Sequence, residues 1–228
     1  TIHEPERPQI SLPLPIEEFL GEEQLREGSI TIAKALSLDN GHRIGASLAI
    51  LSAENDIAFN AGASGDFAYL GKLYYGHRSP KMAYQLGLSA ARGKNDAAGL
   101  RNTNLQAIDF RITMTPDFNA NMDYAGRFTW LGEVLFNQRE LAAGGTNGAS
   151  GFWTVADYQF RRGHHLGLGL ESSEDRWDSR LQARAVSAHY TWYYSPHARL
   201  QLQARDLDTD VGDSGLEIML QWNIVLRP

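Results

Sequence analysis

The feature that most constrains the fold of this chain is a strict alternation of apolar and polar residues that recurs along most of its length. It is clearest in LEIMLQWNIVLR, residues 216–227, where every even-numbered residue is apolar and four of the odd-numbered ones are polar. Successive side chains of a β-strand point to opposite faces, so this pattern predicts a strand with one apolar and one polar face. Eleven candidate strands of this kind follow one another from Gly28 onward. The sequence therefore predicts an all-β, antiparallel fold.

The connections between the candidate strands alternate in length. Segments 39–41, 77–81, 115–120, 161–165 and 195–197 are short, whereas 92–102 and 138–150 are longer, polar and rich in glycine. Barrels of the bacterial outer membrane carry short turns on the periplasmic rim and longer loops on the other rim. The pattern predicts an up-and-down transmembrane β-barrel over residues 28–228, with about 10–12 strands visible, either complete or as part of a larger barrel.

Residues 1–27 differ from the rest because prolines and glutamates dominate them. Proline disrupts regular hydrogen bonding, so this segment is predicted to be an irregular arm with one short helix near residues 16–25. An outer-membrane barrel normally has an even number of strands and both termini in the periplasm. An odd count of eleven predicts at least one more strand upstream, either in residues 9–16 or outside this sequence.

Composition excludes several classes of protein. The net charge is -6 and no basic stripe is present, which argues against nucleic acid as a partner. Cysteine is absent, so disulfide scaffolds and thiolate metal sites are excluded, and no cofactor motif is found. No apolar run is long enough for a transmembrane helix. The chain begins at Thr1 without a signal sequence, so we expect that an export signal has been removed or that the sequence is a fragment.

Charges and aromatic residues indicate which face of the strands is inside. Charged side chains are rarely buried without a partner, so the polar face should reach water in a lumen. The predicted lumen-lining residues are Asp109, Arg111, Asp123, Arg127, Glu133, Asp157, Arg161, Arg199, Arg205 and Glu217. Aromatic residues gather on the apolar face beside the short turns, as at a membrane interface. They are Tyr158, Phe160, Tyr190, Trp192, Tyr194 and Trp222. The alternative is that they form the core of a soluble β-domain, such as a lipid carrier with its apolar face inward.

Several longer segments resemble a family of proteobacterial outer-membrane barrels. The segments are FLGEEQLREGSI, NLQAIDFRITMTP, GRFTWLGEVLFNQRE, GFWTVADYQFRRGHHLGLGLE, YTWYYSPHARLQLQARDLD and LEIMLQWNIVLRP. They are similar to the C-terminal part of porin-like proteins often labelled zinc-regulated or TonB-dependent outer-membrane receptors. The resemblance implies a barrel in the outer membrane of a Gram-negative bacterium, in contact with lipid. It departs from a receptor because no globular plug domain precedes the strands, which argues against energy-driven uptake by this chain.

A porin-like passive channel for small solutes or ions is the function that these features favour, with an envelope protein or a second copy as a further partner. The lumen charges either select permeating solutes or pair with one another in a filled barrel. A TonB-linked or metal-related uptake barrel lacking its plug is an alternative, although His164 and His165 should point to opposite faces and not share one ion. An envelope enzyme would use Ser187 with His189, or the acidic run Asp206, Asp208 and Asp210, but no spacing indicates a catalytic set. We expect no catalytic residues and no enzyme.

Overall fold

The computed structural model describes residues 8–22, 24–25, 28–55, 57–60, 65–115, 126–195 and 198–224. The fold is almost entirely antiparallel β-structure, with 70% of residues in strands and 5% in helices. The prediction of an all-β, antiparallel fold is therefore confirmed. The elements are helix α1 (Leu14–Leu20) and strands β1 (Ser29–Ser37), β2 (His42–Leu51), β3 (Glu54–Asn55), β4 (Phe59–Asn60), β5 (Ala68–Arg78), β6 (Met82–Lys94), β7 (Asn102–Met114), β8 (Arg127–Glu140), β9 (Thr146–Arg161), β10 (His164–Glu174), β11 (Gln182–Ser195), β12 (Ala198–Thr209) and β13 (Gly215–Ile224).

Eleven of the strands form one sheet in the order β1-β2-β5-β6-β7-β8-β9-β10-β11-β12-β13, so each strand pairs with its neighbour along the chain. This is the up-and-down order that the connections predicted. The short pair β3 and β4 forms a separate two-stranded sheet in the connection between β2 and β5. With two residues per strand, this pair is too short to show a periodicity in the sequence.

The large sheet is open among the described residues, and the predicted closure into a barrel is not observed. Strands β1 and β13 are its two edges and do not pair with each other. Every residue of β1 is exposed, on both faces, and β13 is exposed over nearly its whole length. A strand flanked on only one side lacks the neighbour that would cover its other edge. The exposure of both edge strands is therefore a consequence of the open sheet.

Of the two places predicted for a further upstream strand, residues 9–16 do not form one; a strand outside this sequence stays a prediction. No strand occurs in residues 8–22, and helix α1 begins at Leu14. Pro13 occupies the position before the helix and Pro15 lies in its first turn. Proline has no N–H to donate to a strand ladder, but its fixed φ suits the first helical turn. The short helix was therefore correctly predicted, although it lies earlier than residues 16–25.

The connections divide the sheet into two ends, which we name the short-turn end and the long-loop end. Tight turns at 38–41, 79–81 and 162–163 lie at the short-turn end. There Asn40 and Gly41 have φ of 59° and 80°, a conformation that asparagine and glycine tolerate best. The connection between β7 and β8 also lies at this end, and the segment 115–120 predicted as its turn falls almost wholly in residues 116–125, which are outside the described part. At the other end the strands extend further than predicted, because β8 continues to Glu140 and β9 begins at Thr146.

The apolar core lies between the sheet and the N-terminal arm. Helix α1 packs against β9, β10 and β11, and its buried residues Ile16, Phe19 and Leu20 join one cluster with residues of six strands of the large sheet. The members from the large sheet are Ala49, Leu51, Ala68, Ala91, Leu105, Ala107, Leu131, Leu135, Ala149, Trp153 and Val155, and Ala53, Ala58 and Phe59 join them from the segment of β3 and β4. The arm and the segment of β3 and β4 therefore share one apolar core with the same face of the sheet, the arm beside β9, β10 and β11 and Phe59 beside β6.

Replacing Phe19 with alanine should detach the arm from the sheet. Phe19 is 1% exposed within the core cluster, and a buried Phe→Ala change typically costs about 3–5 kcal/mol. We expect a lower unfolding midpoint in denaturant and faster proteolysis within residues 8–22. Leu38→Ala, at an exposed turn, serves as the matched control. A Phe19→Ala protein as stable and as protease-resistant as the control would contradict this packing.

Candidate functional site

The two faces of the sheet differ in a way that is opposite to a soluble β-sandwich. In β10, Gly167, Gly169 and Glu171 are buried, whereas Leu166 and Leu168 on the other face are 53% and 65% exposed. The same alternation runs through the middle strands of the sheet. We call the buried face, which carries the arm, the inner face, and the exposed apolar face the outer face. The inner face is mainly apolar toward the long-loop end and polar elsewhere, and it is the candidate functional site.

The structure places most of the predicted lumen-lining residues on the inner face. Asp109, Glu133, Asp157 and Arg205 are buried there. Arg111 and Arg199 are half-buried, Arg127 and Glu217 are exposed, and Asp123 lies outside the described residues. Their positions follow the strand alternation, as the sequence predicted.

Arg161 is the exception to that alternation. A register shift between β9 and β10 sets Arg161 opposite His164 instead of continuing the alternation from Gln159. His164 belongs to an aromatic cluster of the outer face, and directly paired residues of antiparallel strands share a face. The inward placement predicted for Arg161 is therefore not what the register shows. A β-bulge inverts the alternation beyond it, and it leaves no clear signal in the sequence.

The central charges of the inner face each have a polar partner. Lys72 Nζ lies 3.1 Å from Asp109 Oδ2, two strands away. Gly87 on the intervening strand makes this possible, because a Cβ there would lie 2.2 Å from Asp109 Oδ2. Glu133 Oε2 accepts a hydrogen bond from Trp153 Nε1 at 3.4 Å. Buried charges of this kind are tolerated because each has a partner.

Asp157 of β9 contacts two histidines, His165 of the adjacent strand β10 and His189 of β11. Its Oδ1 lies 2.7 Å from His165 Nδ1 and its Oδ2 lies 3.2 Å from His189 Nε2. The His189 ring fits across β10 because Gly167 has no side chain; a Cβ there would lie 2.1 Å from His189 Cε1. Ser187 Oγ and His189 Nδ1 are buried without a hydrogen-bond partner in the described part of the chain. Ser187 and His189 thus share the inner face, but they are closed off from solvent.

The N-terminal arm is bound by side chains of the inner face that sequence reasoning missed. Glu171 Oε2 accepts hydrogen bonds from Arg205 Nη2 at 2.9 Å and from the Leu14 backbone N–H at 3.0 Å. Gln203 Oε1 accepts from the N–H groups of Ile10 and Ser11, and Gln203 Nε2 donates to Ser11 Oγ at 2.7 Å.

Next along β12, Gln201 Nε2 donates to the Pro8 carbonyl at 2.9 Å. Glutamines at alternating strand positions predict only a polar face, so nothing in the sequence identified these residues as anchors for the arm. The arm therefore occupies part of the inner face from β12 across to β9.

The arm is also fixed at the long-loop end. Glu18 Oε1 accepts a hydrogen bond from the Arg176 N–H at 3.0 Å, and Arg176 Nη1 donates to the Glu18 carbonyl at 2.7 Å. Burial raises the pKa of the Glu18 carboxyl above its ordinary value, while the contacts with Arg176 oppose that rise. In the adjacent loop, hydrogen bonds from Arg180 lower the pKa of Asp178 to about 2.

The aromatic residues predicted at a membrane interface lie on the outer face near the short-turn end. Tyr158, Phe160, Trp192, Tyr194 and Trp222 are exposed there, and Tyr190 is half-buried. Trp222 Nε1 donates to the Tyr194 hydroxyl. His164 joins this group, since its Nδ1 lies 2.7 Å from the Tyr190 hydroxyl and its ring stacks on Trp192. His165 faces Asp157 instead, so the two adjacent histidines point to opposite faces, as predicted.

A second aromatic cluster at the same end was missed by sequence reasoning. His42, Tyr75, His77 and Tyr84 come from β2, β5 and β6, and the Tyr75 hydroxyl lies 2.7 Å from His42 Nδ1. The rings of His42 and His77 have centroids 4.4 Å apart. Each of these four residues lies an even number of positions from an apolar residue of its own strand, Ile44, Leu73 or Leu86, which indicates that it shares the apolar face. The register that brings the four together is visible only in the structure.

Comparison of the sequence with models of known protein families gives no match, and no curated protein matches it either. Among the described residues, no helix is long and apolar enough to cross a membrane. Within the same ranges, no three His, Asp or Glu side chains are grouped as a metal site would require.

Replacing Glu171 with glutamine should destabilise the fold, because it removes the negative charge and leaves the shape of the side chain nearly unchanged. Arg205 would keep only Glu217, at 3.4 Å, while the amide oxygen could still accept from Leu14. Breaking a buried ion pair costs about 3 kcal/mol. Urea unfolding should show this loss, whereas Asp178→Asn, which removes an exposed pair with Arg180, should leave the midpoint nearly unchanged. Equal midpoints for the two variants would refute a stabilising role for the Glu171–Arg205 pair.

Proposed function

We propose that this chain forms the wall of a porin-like passive channel in the outer membrane of a Gram-negative bacterium. In this proposal the outer face contacts lipid and the inner face lines the passage for small solutes or ions. The observation that carries it is the inverted polarity of the sheet: large apolar side chains are exposed on one face, while charged side chains are buried on the other. The resemblance of several segments to porin-like outer-membrane proteins agrees with it.

The outer face has the composition that a lipid environment favours. Its exposed residues include Leu48, Leu88, Leu168, Ile218 and Leu220. A contiguous apolar surface of this extent is unusual on a soluble monomer. Tyrosine, tryptophan and histidine rings collect at the short-turn end of the same face, where amphipathic rings suit the headgroup region. Both features support contact with a bilayer.

The edges of the sheet have to be paired in this environment. An unpaired backbone N–H or C=O in hydrocarbon costs several kcal/mol. In the proposed membrane state, β1 and β13 therefore pair with each other or with further strands. The inner face would then be enclosed, and the arm would lie within the passage and narrow it. Such a passage admits small solutes or ions rather than large ones.

An arginine on the outer face should prevent insertion into a bilayer. Leu168 lies near the middle of β10, where an arginine facing lipid costs about 2–4 kcal/mol. We expect Leu168→Arg to lower the fraction of protein that folds into lipid vesicles at a given urea concentration. Leu100→Arg is the matched control, because Leu100 is 76% exposed but lies in the loop between β6 and β7. Equal folding yields for the two variants would contradict a lipid-facing outer face.

Loosening the arm should widen the passage. Gln203→Ala removes the acceptor of two arm N–H groups, so residues 8–11 should leave the inner face more often. We expect a larger or more variable single-channel conductance in planar bilayers than for the unaltered protein. Gln138→Ala, on the outer face, should have no effect. Absence of ion-permeable steps for all three proteins would count against a channel, and identical steps would count against an arm that narrows it.

A further inference from the structure

A cavity of about 400 Å³ opens at the short-turn end of the sheet, between β2, β5, β6 and β7. Arg43, Arg78 and Arg111 line it together with Tyr74 and Gln85, and no carboxylate does so among the residues that the structure describes. The three arginines come from three strands and share the inner face by strand alternation. This cavity belongs neither to the ion-paired centre of the inner face nor to the contacts of the arm.

Two of the arginines have no carboxylate partner. Arg43 and Arg78 form no salt bridge within the described chain, and the Arg43 guanidinium lies 5.9 Å from the centroid of the Tyr74 ring. The Tyr74 ring lies across Gly45, and a Cβ at position 45 would come within 2.2 Å of the ring. The glycine therefore leaves the space that the ring occupies beside Arg43. Guanidinium groups that are free of carboxylates are suited to bind an oxyanion through two parallel hydrogen bonds. The guanidinium of Arg43 is in addition held beside the Tyr74 ring.

The opposite end of the inner face carries a cavity of opposite charge. It measures about 310 Å³ and is lined by six carboxylate residues and one arginine, Arg205. The carboxylates are Glu17, Glu18, Glu174, Asp175, Asp213 and Glu217. The cationic cavity is therefore a local feature of the short-turn end, in a chain whose net charge is -6.

We propose that Arg43 and Arg78 bind a small soluble oxyanion of the phosphate class at the short-turn end of the inner face. Tyr74 and Gln85 supply further hydrogen-bond donors to it. The cavity reaches the rim of the sheet, since His42, His77 and Tyr84 of the outer-face aromatic cluster also line it. The arginines themselves lie on the inner face, where a dissolved anion reaches them from water. In the channel proposed above, on which this last step rests, the site makes that mouth selective for anions.

Binding is tested with inorganic phosphate on the full chain in a phosphate-free, nonionic detergent, by calorimetric titration at fixed ionic strength. The variant is Arg43→Gln combined with Arg78→Gln, which removes both positive charges and keeps polar, though shorter, side chains. We expect it to weaken phosphate binding about tenfold or more. Arg184→Gln, an exposed arginine at the long-loop end, should bind phosphate as the unaltered protein does. Circular dichroism and the urea midpoint establish that each variant is folded.

Absence of phosphate binding by the folded, unaltered protein would overturn the site, as would equal affinities for the double variant and the control. Loss of phosphate binding in phosphatidylglycerol nanodiscs, with binding retained in detergent, would also overturn it, since a lipid headgroup would then fill the cavity.

Selectivity is tested separately, from the reversal potential across a planar bilayer in a potassium chloride gradient. We expect the unaltered protein to favour chloride and the Arg43→Gln, Arg78→Gln variant to shift toward potassium, while Arg184→Gln does not shift. A protein that binds phosphate in detergent but gives no conductance would retain the site and reject the channel. A channel whose selectivity is the same in all three proteins would retain the proposed function and reject the role of the site in it.

Discussion

The cost of removing charged side chains from water is the constraint on which the rest of this structure depends. The sheet and the arm together bury Asp109, Glu133, Asp157, Glu171 and Arg205, and an unpaired buried charge would cost far more than a small domain can offset. Each of these groups therefore has a polar partner, and the partners come from different elements. Glu171 joins β12 to the arm by bonding Arg205 and Leu14 at once. The polar contacts thus determine where the arm lies, and the apolar contacts of Phe19 and its neighbours add to its stability.

The strand content was predictable, and so was the set of residues that share a face of each strand, because both depend on local alternation. Leu166, Leu168 and Leu170 share a face in any strand, whatever the rest of the chain does. The partners within the inner face were not predictable in the same way. Lys72 meets Asp109 across an intervening strand at Gly87, and this contact depends on the register of two hairpins. Arg161 was misplaced for a related reason, since one extra residue in a bulge reverses the face of everything beyond it.

The arm was the least predictable part, since its sequence carries no strong period. Its prolines indicated an irregular segment and Pro15 suited a helix start, so a short helix was expected. Its location depends on Gln201, Gln203 and Glu171, which lie more than 150 residues away along the chain. Long-range hydrogen bonds of this kind have no local signature. The same argument applies to the cationic cavity, because Arg43, Arg78 and Arg111 meet only through the pairing of four strands.

The two edge strands differ in a way that bears on closure. The outer face of β13 is entirely apolar, with Leu216, Ile218, Leu220, Trp222 and Ile224. On β1 the corresponding face carries Lys34 between Ile32 and Leu36. A lysine at an exposed edge discourages pairing with a foreign strand in water. Lys34 lies only three residues from the short-turn end of β1, so in a bilayer its long side chain can extend its ammonium group to the headgroups. One residue thus protects the open edge in water and would remain compatible with the lipid-facing position that we propose for this face.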